Sequence, residues 1–274
     1  MKIGLIAGGG RFPLLFADAA KAKGYTVYAV AYRNAADPDI ANRVQQVEWL
    51  HLGEIERLIA FFRGHQVTET VVMGAIEKTV MFTDIKPDQK ALAMISRMTE
   101  THDDQLLRCF AEELESHKLQ VRASTFILPE LLATEGVWTA GRPDEERNRD
   151  IAIGWKVAKA IGRLDVGQCV VVEKGTVLAV EGIDGTDATI LRGGRLGGGN
   201  AVVVKVCKPQ QDLRFDIPSV GVRTIDSMRQ AGARTLAMEA GKTVVFDKRE
   251  MIELAEKAGI SIVARKEERC ETSG

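Results

Sequence analysis

The first 24 residues restrict the fold more than any other stretch of the chain. Lys2–Ala7 is an apolar run of strand length, Gly8, Gly9 and Gly10 follow at once, and Pro13 opens an amphipathic segment through Phe16, Ala19 and Ala20 to Gly24. A strand that turns on glycine straight into a proline-primed helix is the opening unit of an α/β sheet. The glycines let the backbone approach an anion, and the helix N-terminus presents N–H groups to it, so this loop suits a phosphate. Arg11 stands where it can close over that phosphate as a bidentate donor. The same glycines also permit close helix–strand packing with no ligand at all.

GLIAGGG departs from the GxGxxG spacing, and the second apolar run, Tyr25–Ala31, leads into Tyr32 and Arg33 where a NAD-binding fold places an acid for the ribose. NAD is therefore disfavoured. Arg33 would tolerate a 2′-phosphate, which keeps an NADP-linked oxidoreductase as an alternative.

The alternation continues through Val44–Leu50, a helix over Ile55–Arg63 with Ile55, Leu58, Ile59 and Phe62 inward, and Thr70–Met73. Gly74 and Ala75 then stand at a strand end, the edge where open α/β sheets bind ligands, and their small size admits a base or ribose. From Ile76 to Met98 the chain is dense in flexible apolar side chains (Met81, Phe82, Leu92, Met94, Ile95), which serve either as core and lid packing or as an adaptable apolar surface. Thr101, His102, Asp103 and Asp104 open a helix carrying Leu106, Leu107, Phe110 and Leu114 inward. One acid suffices to cap it, leaving the other for a ligand hydroxyl or a metal-bound water. Val121–Ser124, which holds Arg122, is expected as the last strand of this domain, with a short helix over Phe126–Leu132.

A chain of 274 residues accommodates two domains of ordinary size. Hydrophobic periodicity lapses over Thr134–Asp150, where Gly, Pro and charge concentrate. The expected division is a nucleotide-binding domain at 1–133, a linker at 134–149, a catalytic domain at 150–266 and a disordered tail at 267–274. Helix Asp150–Ile161, closed by Gly162, leads through Arg163 to a strand at Gln168–Glu173, a Lys174-Gly175 turn and the run TVLAVEGIDGTD. That run delivers Glu181, Asp184 and Asp187 to a turn loosened by Gly182 and Gly185. Farther on, KPQQDLRFDIPSVG adds Asp212 and Asp216 between two prolines, beside Lys208 and Arg214. Each piece alone is an acidic surface turn; carboxylates and cations together suit a divalent metal holding a phosphate ester. Gly193–Gly199 is expected as a mobile loop. Ala201–Val206, Thr224–Ala231, Thr235–Glu239 with a hairpin to Thr243–Phe246, Lys248–Ala258 and Ser261–Ala264 complete a mixed sheet with helices.

Lys plus Arg (37) nearly balances Asp plus Glu (38), and no basic block interleaves with aromatics, so a nucleic-acid partner is not expected. The four cysteines form no CxxC and the histidines no HxH or HExxH, which argues against structural zinc and a disulfide framework. The absence of a cleavage signal or a span-length apolar run leads us to expect a cytoplasmic protein.

GLIAGGG with the following FP, HDDQLLR, IGRLDVGQ, VLAVEGIDGTDA and KPQQDLRFDIPSVG together resemble, in this order and spacing, the LpxI-type UDP-2,3-diacylglucosamine pyrophosphatases of lipid A biosynthesis. The resemblance runs along nearly the whole chain. It implies two α/β domains joined by a linker, an N-terminal Rossmann-like nucleotide-binding domain and a C-terminal mixed-sheet catalytic domain. The implied reaction is the magnesium-dependent hydrolysis of UDP-2,3-diacylglucosamine to UMP and 2,3-diacylglucosamine 1-phosphate. Asp216 matches the essential aspartate; Asp187 and Arg163 match positions near the phosphates, and Asp187 and Asp216 are the candidate ligands for Mg²⁺. Gly10, Arg11, Gly74, Ala75 and Asp103 match ligand contacts, and Gly8, Gly9, Asp104, Arg122 and Thr186 complete the candidate substrate-binding set. The methionine-rich region becomes a candidate for holding acyl chains. The implied partners are the lipid-linked nucleotide sugar, a transient contact with the inner membrane surface and a possible second copy of the chain. Besides the oxidoreductase, a non-catalytic nucleotide-sugar-binding regulator is an alternative.

Overall fold

A computed structural model describes residues 1–76, 85–97 and 103–267. The methionine-rich stretch at 77–84, Met98, Thr101, His102 and the expected tail from 268 onward lie outside the described residues. The chain forms two compact units, one made of Met1–Pro129 with Asp212–Asp216, the other of Glu130–Gln211 with Ile217–Gly274.

In the first unit the described strands are β1 (Lys2–Ala7), β2 (Thr26–Tyr32), β3 (Gln46–Leu50), β4 (Glu69–Met73) and β5 (Gln120–Arg122). They pair in parallel in the order β3-β2-β1-β4-β5. Helix α1 (Phe12–Ala22) connects β1 to β2, while α2 (Ile55–Gly64), α3 (Gln89–Ser96) and α4 (Asp103–Ser116) lie on the path to β4 and β5. Because parallel crossovers are right-handed, reversing the direction of travel at β1 places α1 on one face and α2 and α4 on the other. Phe62, Leu58, Ala111 and Leu114 from the latter helices bury over Ile6, Val30, Leu50 and Val121. Strands covered on both faces must be apolar throughout, which is why KIGLIA and TVYAVAY lack alternation. Past β5, the expected helix at Phe126–Leu132 is replaced by two single 3₁₀ turns, Ser124–Phe126 and Pro129–Leu131.

The second unit is built on a six-stranded mixed sheet, ordered β6-β13-β11-β9-β7-β8 among the described residues. Its strands are β6 (Gly136–Val137), β7 (Cys169–Glu173), β8 (Thr176–Val180), β9 (Val202–Lys205), β11 (Thr235–Glu239) and β13 (Ser261–Arg265). β9, β11 and β13 run parallel, and β7 opposes both β9 and β8, so β8 and β9 end at the same edge. Helix α5 (Glu145–Arg163) covers one face over Val170, Val172, Val202, Val204 and Val206. α6 (Gly185–Leu196), α7 (Val222–Ala231) and α8 (Lys248–Ala258) cover the other, over Cys169, Val171, Val203 and Met238.

Four local expectations change here. Residues 134–149 contribute β6, which pairs with β13, and the first turns of α5 to this unit. Gly162 lies inside α5 instead of closing it. β12 (Val244–Val245) forms no hairpin with β11; it pairs with β10 (Ser219–Val220) in a separate parallel sheet. The expected loop at Gly193–Gly199 is helical as far as Leu196. A Cβ at Gly193 would meet the Val171 side chain at 2.6 Å, and one at Gly194 the Ala231 carbonyl at 2.2 Å. These glycines let α6 press against β7 and α7, so they mark close packing and not a chain break.

Candidate active site

At the carboxyl edge of the first sheet, the two glycine segments singled out in the sequence meet. Gly8 donates to the Met73 carbonyl at 2.8 Å, Gly9 to the Ala75 carbonyl at 2.7 Å, and Ala75 back to the Gly9 carbonyl at 3.1 Å. This junction lies between β1 and β4, where the strand order reverses and open sheets leave a crevice. The amides of Gly8 and Gly9 are thereby taken by Met73 and Ala75, so these residues shape the crevice without donating to a phosphate. The available cradle starts at Gly10, exposed with φ 91°, and continues into α1, where Arg11 occupies the N-cap without a side-chain cap.

Gly74 has φ 92°, and a Cβ there would meet backbone atoms of Gly8 and Gly9 at 2.7 Å. Neither backbone can retreat without opening the β1–β4 junction. Gly74→Ala is expected to lose about 3 kcal/mol, since left-handed strain and overpacking each cost about 1–3 kcal/mol. Gly10→Ala, with a similar φ but no atom within 4 Å, should lose only the strain component, about 1–2 kcal/mol. Urea denaturation of the two variants separates them; equal losses would refute the junction's role.

Other candidates are placed as follows. The Arg122 guanidinium donates to Glu69 Oε1 at 2.6 Å and sits 5.0 Å from the Phe126 ring centroid, a structural engagement within the unit. Asp103 opens α4, followed by Asp104. Arg33 is exposed just past β2.

The loop carrying Asp216 is built into this unit. Arg214 grips Asp212 through Nε at 3.0 Å and Nη2 at 2.7 Å, and its Nη1 donates to Glu115 Oε1 of α4 at 2.9 Å. Phe215 packs against the cluster beneath α2 and α4. The Arg214 guanidinium holds the Asp212 carboxyl below the usual carboxylate range, with Arg108 adding to the effect. Backbone bonds from Phe215 and Asp216 to the Asp212 carbonyl, 3.0 and 3.2 Å, close a turn that presents the half-buried Asp216. Asp212 is thus the framework of the loop, and Arg214, expected as a cation beside the acids, is its anchor.

In the second unit the acids gather where β8 and β9 end. Glu181, only 8% exposed, accepts from the Gln168 amide at 2.9 Å and from Thr186 Oγ1 at 2.7 Å. Thr186 is therefore engaged in fixing the first turn of α6. Asp184 pairs with Arg192 at 3.0 Å, which lowers its pKa. Asp187, in the same first turn, accepts from Arg223 Nη2 at 3.1 Å and Ser227 Oγ at 3.2 Å, both on α7. The Arg223 side chain is 91% exposed, so this ion pair is weak and readily exchanged for a ligand. Lys205, the last residue of β9, lies opposite Cys169 in register. Burial pushes the Cys169 thiol up to about 12, with Glu181 adding to the rise and Lys205 opposing it; Glu181 flanks Cys169 from the β8 side, its amide donating to the Cys169 carbonyl at 2.8 Å. Arg163 ends α5 with an exposed side chain, beside the Lys208–Asp165 ion pair at 2.6 Å.

Among the described residues no group of three or more His, Cys, Asp or Glu side chains converges in a metal-binding cluster. Asp187 and Asp216 belong to different units. Each is a single carboxylate, the donor type magnesium uses when waters and substrate phosphates fill its remaining positions.

Two family models match the chain, one described as the LpxI N-terminal domain over residues 2–131 and the other as the LpxI C-terminal domain over 134–263. A curated relative, the UDP-2,3-diacylglucosamine pyrophosphatase LpxI of Caulobacter vibrioides, is 31% identical over 273 residues, covering 96% of each chain. Among solved structures, a glycinamide-RNase-transformylase T from Mycobacterium tuberculosis is 18% identical over 52% of this chain and 39% of that one, with a TM-score of 0.25. A biotin carboxylase from Campylobacter jejuni is 12% identical over 84% and 41%, with a TM-score of 0.28. The chain spans less than half of either structure, and scores this low carry no argument.

Proposed function

Because the chain belongs to the LpxI family, we propose that it hydrolyses the pyrophosphate bond of UDP-2,3-diacylglucosamine, releasing UMP and 2,3-diacylglucosamine 1-phosphate. The observation that carries this reading is the match of both halves to that family together with a relative of that name aligned end to end. The physical arrangement supports it. Hydrolysis of a pyrophosphate requires neutralised oxygens and a water aligned opposite the leaving group, so positioning and electrostatics do most of the catalysis. Gly10, Arg11 and the α1 N-terminus suit a nucleotide phosphate in the crevice between β1 and β4. Asp216 and Asp187 are the groups to orient the water, and Arg163, exposed at the end of α5, is a cation for the phosphates. Bound magnesium, held by Asp187 or Asp216 with water and phosphate oxygens, would supply Lewis-acid neutralisation of the anhydride.

α3 buries Ala91 and Met94 and leaves Leu92 and Ile95 exposed, with Ile85 exposed before it. This apolar surface supports the reading that the first unit contacts acyl chains. No helix among the described residues is long and apolar enough to cross a membrane. We place the reaction at the cytoplasmic side of the inner membrane, through transient contact.

UMP release from UDP-2,3-diacylglucosamine, with and without magnesium, is the direct test. Release that requires a divalent cation is expected. Saturable NADP binding with no uridine-nucleotide response would favour the oxidoreductase, and uridine-nucleotide binding without turnover would favour the regulator.

A further inference from the structure

We propose that Lys205 binds the anionic pyrophosphate oxygens in the second unit, together with the N-terminal turn of α6, an inference that rests on the proposed pyrophosphate hydrolysis. β9 reads VVVK, and each of its residues is buried. Val203 packs in the cluster under α6, α7 and α8, and Val202, Val204 and Val206 in the one under α5. By strand alternation Lys205 shares the face of Val203, where the core would accept an aliphatic residue. Instead it holds an ammonium group in a residue only 7% exposed. Its Nζ donates to the Ser219 carbonyl at 2.7 Å, and no carboxylate among the described residues forms an ion pair with it.

The other buried lysine of this unit is different. Lys159 Nζ meets Glu239 Oε2 at 2.8 Å and the Cys207 carbonyl at 3.0 Å, so its charge is neutralised within the fold. Glu181 and Asp187 lie in the region of Lys205 but do not neutralise it directly. Glu181 holds Gln168 and Thr186, and Asp187 holds Arg223 and Ser227. A desolvated ammonium with one neutral acceptor is a cost to the fold. Such departures from the apolar pattern gather where a site needs them. The position fits an anion. Lys205 ends β9 at the edge where β8 also ends, and α6 starts there, a helix of 12 residues whose N-cap, Asp184, makes no side-chain cap hydrogen bond. A helix N-terminus and a point-like ammonium together recognise phosphate without demanding one fixed geometry.

The test uses the full-length protein and three variants, Lys205→Met, Lys205→Gln and Lys205→Arg, with inorganic pyrophosphate as the binding probe. Pyrophosphate should raise the melting temperature of the wild type but not of K205M or K205Q. Without ligand, K205M should melt at or above the wild type, because an uncompensated buried charge has been removed. Its kcat should fall at least ~10²-fold, the loss expected on removing one charge-stabilising contact, and K205R should recover part of it. Unchanged protection by pyrophosphate in K205M would overturn the proposal. So would wild-type turnover, or unliganded melting of both K205M and K205Q well below the wild type, which would make Lys205 a structural residue. If the wild type failed to release UMP while protection still depended on Lys205, the anion site would stand and the substrate assignment would fall. Release of UMP with protection indifferent to Lys205 would do the reverse.

Discussion

Asp216→Ala is expected to reduce UMP release at least ~10²-fold, the usual loss when a positioned general base or water-orienting group is removed, while leaving the melting temperature close to that of the wild type. The separation follows from how the loop is held. Its anchors are Arg214 on Asp212 and Glu115, Phe215 in the core beneath α2 and α4, and backbone bonds to the Asp212 carbonyl. The Asp216 side chain itself is only half buried. Truncating a partly exposed side chain outside the core changes stability by about 0.5 kcal/mol. Purified D216A that turns over within a few-fold of the wild type would remove Asp216 from the chemistry. A variant that loses activity because it unfolds would instead place it in the framework.

The largest stability effect is expected at Glu239. Its residue is 1% exposed and Lys159 is 5% exposed, and Glu239 Oε2 accepts from both Lys159 Nζ at 2.8 Å and the Cys207 amide at 2.9 Å. Glu239→Ala would leave the buried Lys159 ammonium with only the longer contact to the half-exposed Glu267 at 3.4 Å as counter-charge, Lys242 without the carboxylate it meets at 2.9 Å, and the buried Cys207 N–H without an acceptor. Breaking a buried pair in this way costs about 3–5 kcal/mol, a large share of the ~5–15 kcal/mol that typically separates folded from unfolded protein. The double change Glu239→Leu with Lys159→Met should recover only part of the loss, since it removes the uncompensated charge but leaves the buried Cys207 N–H without its acceptor. Urea unfolding of the two variants decides it: a loss below about 1 kcal/mol in the single variant would mean that water reaches the pair.

The residues that were legible in the sequence are those whose signal is local. Thr235–Glu239 is expected as an element and forms a strand, and the expected element Thr224–Ala231 forms a helix that ends at Gly232, in the left-handed conformation with φ 72°. The glycines at 8–10 and 74 were both recognised as special, each from its place after an apolar run. Their contact was not legible, because it follows from β4 docking beside β1 after a long connection. Arg122 and Thr186 show the converse. Both residue types suit a phosphate, but Glu69 and Glu181 occupy their polar groups, and nothing near them in sequence announces those partners.

By itself the sequence determined the strand and helix alternation, the α/β class with one parallel and one mixed sheet, and the family. These depend on the order of apolar runs, turn residues and motifs along the chain. Only the tertiary structure decided that Asp212–Asp216 belongs with the first unit, that Gly193 and Gly194 lie in a helix, and that Lys205 is buried with the Ser219 carbonyl as its acceptor and no carboxylate partner among the described residues. The reason is range. Periodicity and propensity act over a few residues, whereas Arg214 and Glu115, 99 residues apart, meet only when the fold brings them within hydrogen-bonding distance.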